Sequence, residues 1–100
     1  MLFSVKAQVA VKGPDDVRSL YEILKSALES LCEKVVKLGS SYLCSYSGTT
    51  LLQVIFLTEI QRYEVVILAQ STSPTDLVSV FQKMSSTLRE RGYPIVLRTA

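Results

Sequence analysis

The chain has 100 residues, of which 48% are hydrophobic, with 11 basic and 9 acidic side chains and a formal net charge of +2. That length holds one domain with no room for a second core, so residues 1–100 read as a single unit. Basic and acidic residues are interspersed, which neither demands nor excludes a nucleic-acid partner. Histidine is absent, and Cys32 and Cys44 alone supply too few soft ligands for a zinc site. Both cysteines read as semi-buried structural thiols, with a disulfide as the alternative.

The densest apolar segment, Leu51 to Leu57, is interrupted by Gln53 and falls far short of the roughly 20 residues that a membrane helix needs. Lys6 follows Met1-Leu2-Phe3 before a signal-like apolar region can form. No membrane span is expected, and the chain reads as cytoplasmic. A chain this apolar outside a membrane is expected to hide surface against a partner.

In chain order, Phe3, Val5, Ala7, Val9 and Val11 alternate with Ser4, Lys6, Gln8, Ala10 and Lys12, the pattern of a strand with one face on a core. Gly13-Pro14-Asp15-Asp16 ends it and starts a helix, since proline suits the first helical position and acids complement the helix dipole there. Val17, Leu20, Leu24, Leu28, Leu31, Val35 and Leu38 continue in steps of three and four, which predicts a helix over Asp15–Leu38 stopped by Gly39. Extended segments follow at Tyr42–Tyr46, Thr50–Thr58 and Tyr63–Gln70, with a turn near Glu59–Arg62. Ser73 caps a second helix, Pro74–Arg91, whose apolar stripe is Leu77, Phe81, Met84 and Leu88. Gly92 closes that helix, and Ile95–Thr99 is a last strand.

An internal repeat links the two helices. Pro14, Asp16, Ser19, Ser26 and Leu28 recur as Pro74, Asp76, Ser79, Ser86 and Leu88, and Val17, Leu20, Tyr21 and Leu24 match Leu77, Val80, Phe81 and Met84. Tandem strand-helix-strand units predict an α+β domain related to the ferredoxin-like βαββαβ arrangement, with both helices on one face of a four- or five-stranded, mostly antiparallel sheet. Ser47-Gly48 reads either as a bend inside one long strand or as a hairpin turn. The second choice gives βαβββαβ and reverses the direction of the final strand.

Catalytic parts are missing. Without histidine there are no Ser-His or Cys-His pairs, and the four glycines form no phosphate loop. The carboxylates fall in first helical turns, on polar helix faces or beside a turn, so neither enzyme activity nor a cofactor is expected. Tyr42 and Tyr46 share one side of a strand and are candidates for base stacking, yet the aromatic signature of a common RNA-binding sheet is absent. Arg89, Arg91 and Arg98 are candidate RNA contacts, although cations at a helix C-terminus also serve its dipole.

The central strands are apolar on both sides, and helices cover one side of a sheet. Leu52, Val54 and Phe56 oppose Leu51, Ile55 and Leu57, while Val66 and Leu68 oppose Val65 and Ile67. One set is expected to form an exposed patch for a homodimer or a heteromeric protein partner, with Leu52, Val54, Phe56, Val66 and Leu68 as the candidate interface.

The run Val5-Lys6-Ala7-Gln8-Val9-Ala10-Val11, then Pro14, Val17 and Tyr21-Glu22, resembles the start of the small dimerising subunit of the KEOPS tRNA-modification complex. Asp76, Val80 and Met84-Ser85-Ser86-Thr87-Leu88-Arg89 are similar to that family's second helix, with Ser85 where asparagine is expected. The resemblance covers about half the chain and implies a non-catalytic, dimerising subunit of a tRNA-modifying assembly. The stretch from Leu52 to Leu97 is also similar to ferredoxin-like protein subunits of ribonuclease P, which contact RNA. A small-molecule-binding regulatory domain of the βαββαβ type is the third reading.

Overall fold

The computed structural model describes residues 1–59 and 62–98, and the side chains of all of these except 59, 62, 97 and 98. The elements run β1 (Phe3–Val9), α1 (Pro14–Leu31), β2 (Lys34–Leu38), β3 (Ser41–Ser47), β4 (Thr50–Glu59), β5 (Arg62–Ser71), α2 (Pro74–Glu90) and β6 (Ile95–Arg98). All the strands form one sheet in the order β2-β3-β4-β5-β1-β6, and every neighbouring pair is antiparallel. After α1 the chain starts at the far edge and returns as a four-strand meander until β5 lies beside β1. Then α2 carries it across to β6 on the other side of β1.

Both helices lie on the same face, because their buried residues join one core cluster with a single side of the sheet. Val17, Leu20, Leu24 and Leu28 come from α1, and Leu77, Val80, Met84 and Leu88 from α2. The sheet supplies Ala7 and Val9, Leu52, Val54 and Phe56, Val65, Ile67 and Ala69, and Tyr42 and Cys44. Four apolar pairs of the internal repeat, Val17/Leu77, Leu20/Val80, Leu24/Met84 and Leu28/Leu88, are thus core positions, and Tyr21/Phe81 pack against the core half-buried. The repeated starts are equivalent as well: Pro14 and Pro74 each open their helix.

The two aspartates two residues further on do matching work. Asp16 accepts from the Lys12 N–H at 2.8 Å and from the Tyr93 hydroxyl at 3.3 Å. Asp76 accepts from the hydroxyls of Thr49 at 2.9 Å and Ser47 at 3.3 Å. Each carboxylate sits in the first turn of its helix, where the dipole favours negative charge, and ties that helix to a loop. The Ser73 hydroxyl caps α2 by accepting from the Asp76 N–H. At the other end of α2, Gly92 has φ +87°, and the N–H groups of Gly92 and Tyr93 bond to the carbonyls of Arg89 and Leu88, the Schellman closure.

The expected long first helix is corrected. It ends at Leu31, and residues 34–38 are strand β2 rather than two more helical turns. Cys32 is already extended, at φ −104° and ψ 149°, and is disulfide-bonded to Cys44 of β3. The expected pair of free thiols is therefore corrected too. Beyond Cys32 the Glu33 N–H bonds to the Ser45 carbonyl, and β2 ladders onto β3 from Lys34↔Ser45 to Leu38↔Ser41. Val35-Val36 favours this outcome, since paired β-branched residues suit a pleated surface better than a helix.

Gly39 caps no helix. With Ser40 it forms the two-residue loop of the β2–β3 hairpin, at φ +58°. Gly48-Thr49 makes the next hairpin loop, beside a bulge between Ser45 and Ser47, so Ser47-Gly48 is a turn. The sheet has six strands instead of four or five. Four strands rather than three separate the helices, and that even number restores the strand directions that a three-strand count reverses. Of the turn expected near Glu59–Arg62, residues 60 and 61 lie outside the described residues, as does Thr99 of the last strand.

The two hairpin glycines differ in a measurable way. A side chain at Gly39 meets open space but must adopt the left-handed region, whereas Gly48 has open space and no positive φ. Gly39→Ala is expected to lower stability by about 1–2 kcal/mol. Gly48→Ala is expected to stay within about 0.5 kcal/mol of the parent or to gain slightly. Urea unfolding of the two variants checks both values.

Candidate interaction surface

Strand alternation decides which side chains face away from the helices. In β4, Thr50, Leu52, Val54 and Phe56 are buried, while Leu51, Gln53, Ile55 and Leu57 face outward. In β5 the outward set is Glu64, Val66, Leu68 and Gln70, matched by Ser4, Lys6 and Gln8 of β1. From β3 and β2 come Ser41, Leu43 and Ser45, and Lys34, Val36 and Leu38.

The register aligns these residues in rows. One runs Val36–Leu43–Gln53–Leu68–Lys6, and the next Leu38–Ser41–Ile55–Val66–Gln8–Val96. Apolar residues concentrate on β2 to β5, and β1 closes the block with polar side chains. Leu38 is 53% exposed, Leu51 45%, Val36 39% and Leu57 37%. Those are high values for residues that have an apolar neighbour in the next row or strand.

This placement splits the expected interface. Val66 and Leu68 lie on the helix-free face, where Leu68 is half-buried and Val66 only 8% exposed. Leu52, Val54 and Phe56 do not: they are 0%, 0% and 5% exposed and pack under the helices. Their neighbours Leu51, Ile55 and Leu57 take the outward places, joined by Val36, Leu38 and Leu43. The signal for β4 was Gln53, a polar residue that marks the odd-numbered side as the one away from the core.

The candidate RNA contacts are not gathered together. Arg89 is exposed and borders a groove of about 740 Å³ beside α2, with Val5, Phe81 and Ile95. Arg91 borders a different groove, of about 560 Å³, between the helices. Arg98 ends β6, and its side chain lies outside the described set. Tyr42 and Tyr46 share a side, but it is the helix side. Tyr42 is buried, and the Tyr46 hydroxyl lies 3.3 Å from the Ser79 hydroxyl and accepts from Lys83 Nζ at 3.0 Å. Neither tyrosine offers a stacking platform on the open face. Among the described residues no three His, Cys, Asp or Glu side chains gather, and no helix is long and apolar enough to cross a membrane.

The helix side carries an aromatic and polar cluster of its own. Tyr21, Tyr42 and Phe56 form an aromatic cluster with centroids 5.2–6.1 Å apart, and Lys37 Nζ lies 5.1 Å from the Tyr21 ring. A hydrogen bond from Lys37, then one from Tyr42, holds the Tyr21 phenol below its usual pKa. Burial, then the bond to Tyr21, pushes Tyr42 above it. Tyr46 is lowered by Ser79 and then by Lys83.

The signs are opposite for the first two, and they predict a split alkaline titration. Tyr21 ionises before, and Tyr42 after, an unfolded tyrosine near pH ~10. The contribution of Tyr42 to stability is present below that pH and lost as pH rises toward its folded value. Tyr42→Phe is expected to remove the latest-titrating phenol from the ultraviolet titration and to flatten the loss of stability above pH ~10.

A comparison with protein-family models finds no match for this chain, and neither does one with curated proteins or one with solved structures.

Proposed function

We propose that this chain is a non-catalytic interaction subunit that pairs with a second copy of itself through the helix-free sheet face. The observation that carries this reading is the apolar block on β2 to β5. At ~4.8 Å between strands and ~3.4 Å per residue, the block from Val36 across to Leu68 and from Leu51 to Leu57 has a footprint of about 400 Å². The full six-strand face measures about 600 Å², of the order of the ~800 Å² that one partner gives to a standard interface. Two such blocks remove about 800 Å² of apolar surface from water, roughly 20 kcal/mol gross, against association costs of ~4–15 kcal/mol.

A second copy suits this face for a further reason. Its centre, around Ile55 and Val66, carries no charge, and Lys6, Lys34 and Glu64 stand at its margins. Two copies can therefore stack sheet on sheet without opposing like charges at the centre.

The frame β1-α1-β4-β5-α2-β6 is read as ferredoxin-like, with the β2–β3 hairpin inserted after α1. An RNA-modifying assembly in the cytoplasm is the proposed setting. Its support is the likeness of Val5–Val11 and of Asp76–Arg89 to the small KEOPS subunit, together with carboxylates such as Asp16 and Asp76 that are spent on helix starts.

Sedimentation equilibrium tests the pairing. The parent chain is expected to dimerise at micromolar concentration. Leu51→Lys, at an exposed position, is expected to raise the dissociation constant by about 100-fold, as a charge buried without a partner does. Val78→Lys, at a more exposed position on α2, is expected to leave it unchanged. A parent chain that stays monomeric at 200 µM, or a dimer indifferent to Leu51→Lys, overturns the reading.

A further inference from the structure

Strand β2 supplies Val36 and Leu38, two of the most exposed members of the apolar block, yet it is the least anchored strand on that flank. It lies at the edge of the sheet, bonded on one side to β3. Its outward residues give nothing to the core. Val35 packs against the core from half-buried ground, and Lys37 reaches Tyr21. The covalent tie comes just before it: Cys32, at the end of α1, is bonded to Cys44, which pairs with Val35 across the ladder. The enclosed segment contains β2 and its hairpin loop.

The chemistry of the bond is asymmetric. Cys44 is 1% exposed, whereas Cys32 is half-buried and reachable. We infer that the Cys32–Cys44 disulfide is a redox clamp on β2, so that small cellular thiols control the completeness of the pairing face. This rests on the reading of that face given above. In the first step a low-molecular-weight thiolate attacks Sγ of Cys32. The S–S bond breaks, and Cys44 leaves as a thiolate that takes up a proton. A second small thiol then attacks the mixed disulfide, releasing Cys32 as a thiol and forming the small-molecule disulfide. Two electrons and two protons pass to the protein. In a cytoplasmic protein, a disulfide of this kind is characteristically transient and redox-sensing rather than permanent.

Reduction removes the loop constraint while leaving α2 and the central strands in place. Closing a loop of this length is worth about a hundredfold in the local opening equilibrium. The opened β2 takes Val36 and Leu38 out of the block and uncovers the edge of β3.

Hydrogen exchange read by mass spectrometry, paired with sedimentation, tests this on the intact chain with and without a small thiol such as glutathione. On reduction, amides of residues 34–38 are expected to lose protection by about 100-fold, those of α2 to stay protected, and the dimer dissociation constant to rise at least tenfold. A Cys32→Ser/Cys44→Ala variant is expected to behave as the reduced form and to ignore the thiol. Equal protection of β2 in both states overturns the clamp, as does loss of protection throughout α2, which makes the bond a support of the whole fold. Cysteines that alkylate fully after exposure to oxidised glutathione overturn it as well. Protection lost with pairing unchanged overturns the control of the face and leaves the pairing reading standing. An oxidised chain that is monomeric throughout removes the pairing reading itself.

Discussion

Strand β5 lies between β1 and β4, and its register with both sets the position of everything else. Val65, Ile67 and Ala69 stand opposite Val9, Ala7 and Val5 on one side and opposite Phe56, Val54 and Leu52 on the other. Those three rows are the floor on which both helices rest. Because side chains alternate with a period of two, a slip of one residue would turn Glu64, Val66, Leu68 and Gln70 toward the helices and expose the floor. Glu64 and Gln70 make that slip costly, since neither has a place in an apolar core. At the end of the row the pattern is sealed by hydrogen bonds: Ser71, fully buried, lies 2.8 Å from the Thr50 hydroxyl and accepts from the Ser73 N–H. The register of the central strands and the start of α2 are thus fixed by the same few atoms.

Much of this was legible in local pattern. The alternation in Phe3–Val9, the Pro-x-Asp helix starts and the Gly92 closure of α2 each rest on residues close in sequence, and each element stands where those residues put it. Strand β2 was not legible, and the reason is particular. Leu31, Val35 and Leu38 continue the helical steps of α1, while Val36 and Leu38 equally fit a strand, and a short apolar run does not decide between the two periods. What decides is long-range: the ladder to β3 and the bond to Cys44. The internal repeat did hold a local hint. The end of α2 at Glu90 corresponds to Ser30, one residue from the true end of α1, so equal helix lengths were already implied.

The candidate face was half legible for a related reason. Both sides of β4 are apolar, so hydrophobicity alone does not orient it. One polar residue does, because Gln53 shares its side with Leu51, Ile55 and Leu57. In β5, Glu64 and Gln70 bracket Val66 and Leu68 in the same way. Side chains that look like interruptions in an apolar run are the ones that report which side meets water.

The β2–β3 hairpin accounts for both unusual features of the molecule. Helices packed ~8–10 Å apart span roughly the width of four strands. A six-stranded sheet therefore extends past its cover. On the helix side of that flank, the space is filled by Val35, Tyr42 tilted against Tyr21, and the Cys32–Cys44 bond, that is, by an aromatic pair and a covalent link. On the opposite side the hairpin adds Val36, Leu38 and Leu43 to an already apolar face. An added edge strand also brings the hazard of strand-to-strand aggregation, which lysines on an edge oppose. Lys34 and Lys37 stand on β2 on opposite sides of the strand, so an incoming strand would meet a charge on either side. Edge pairing is thereby disfavoured while the face is left apolar, which is the arrangement that the proposed pairing through the face requires.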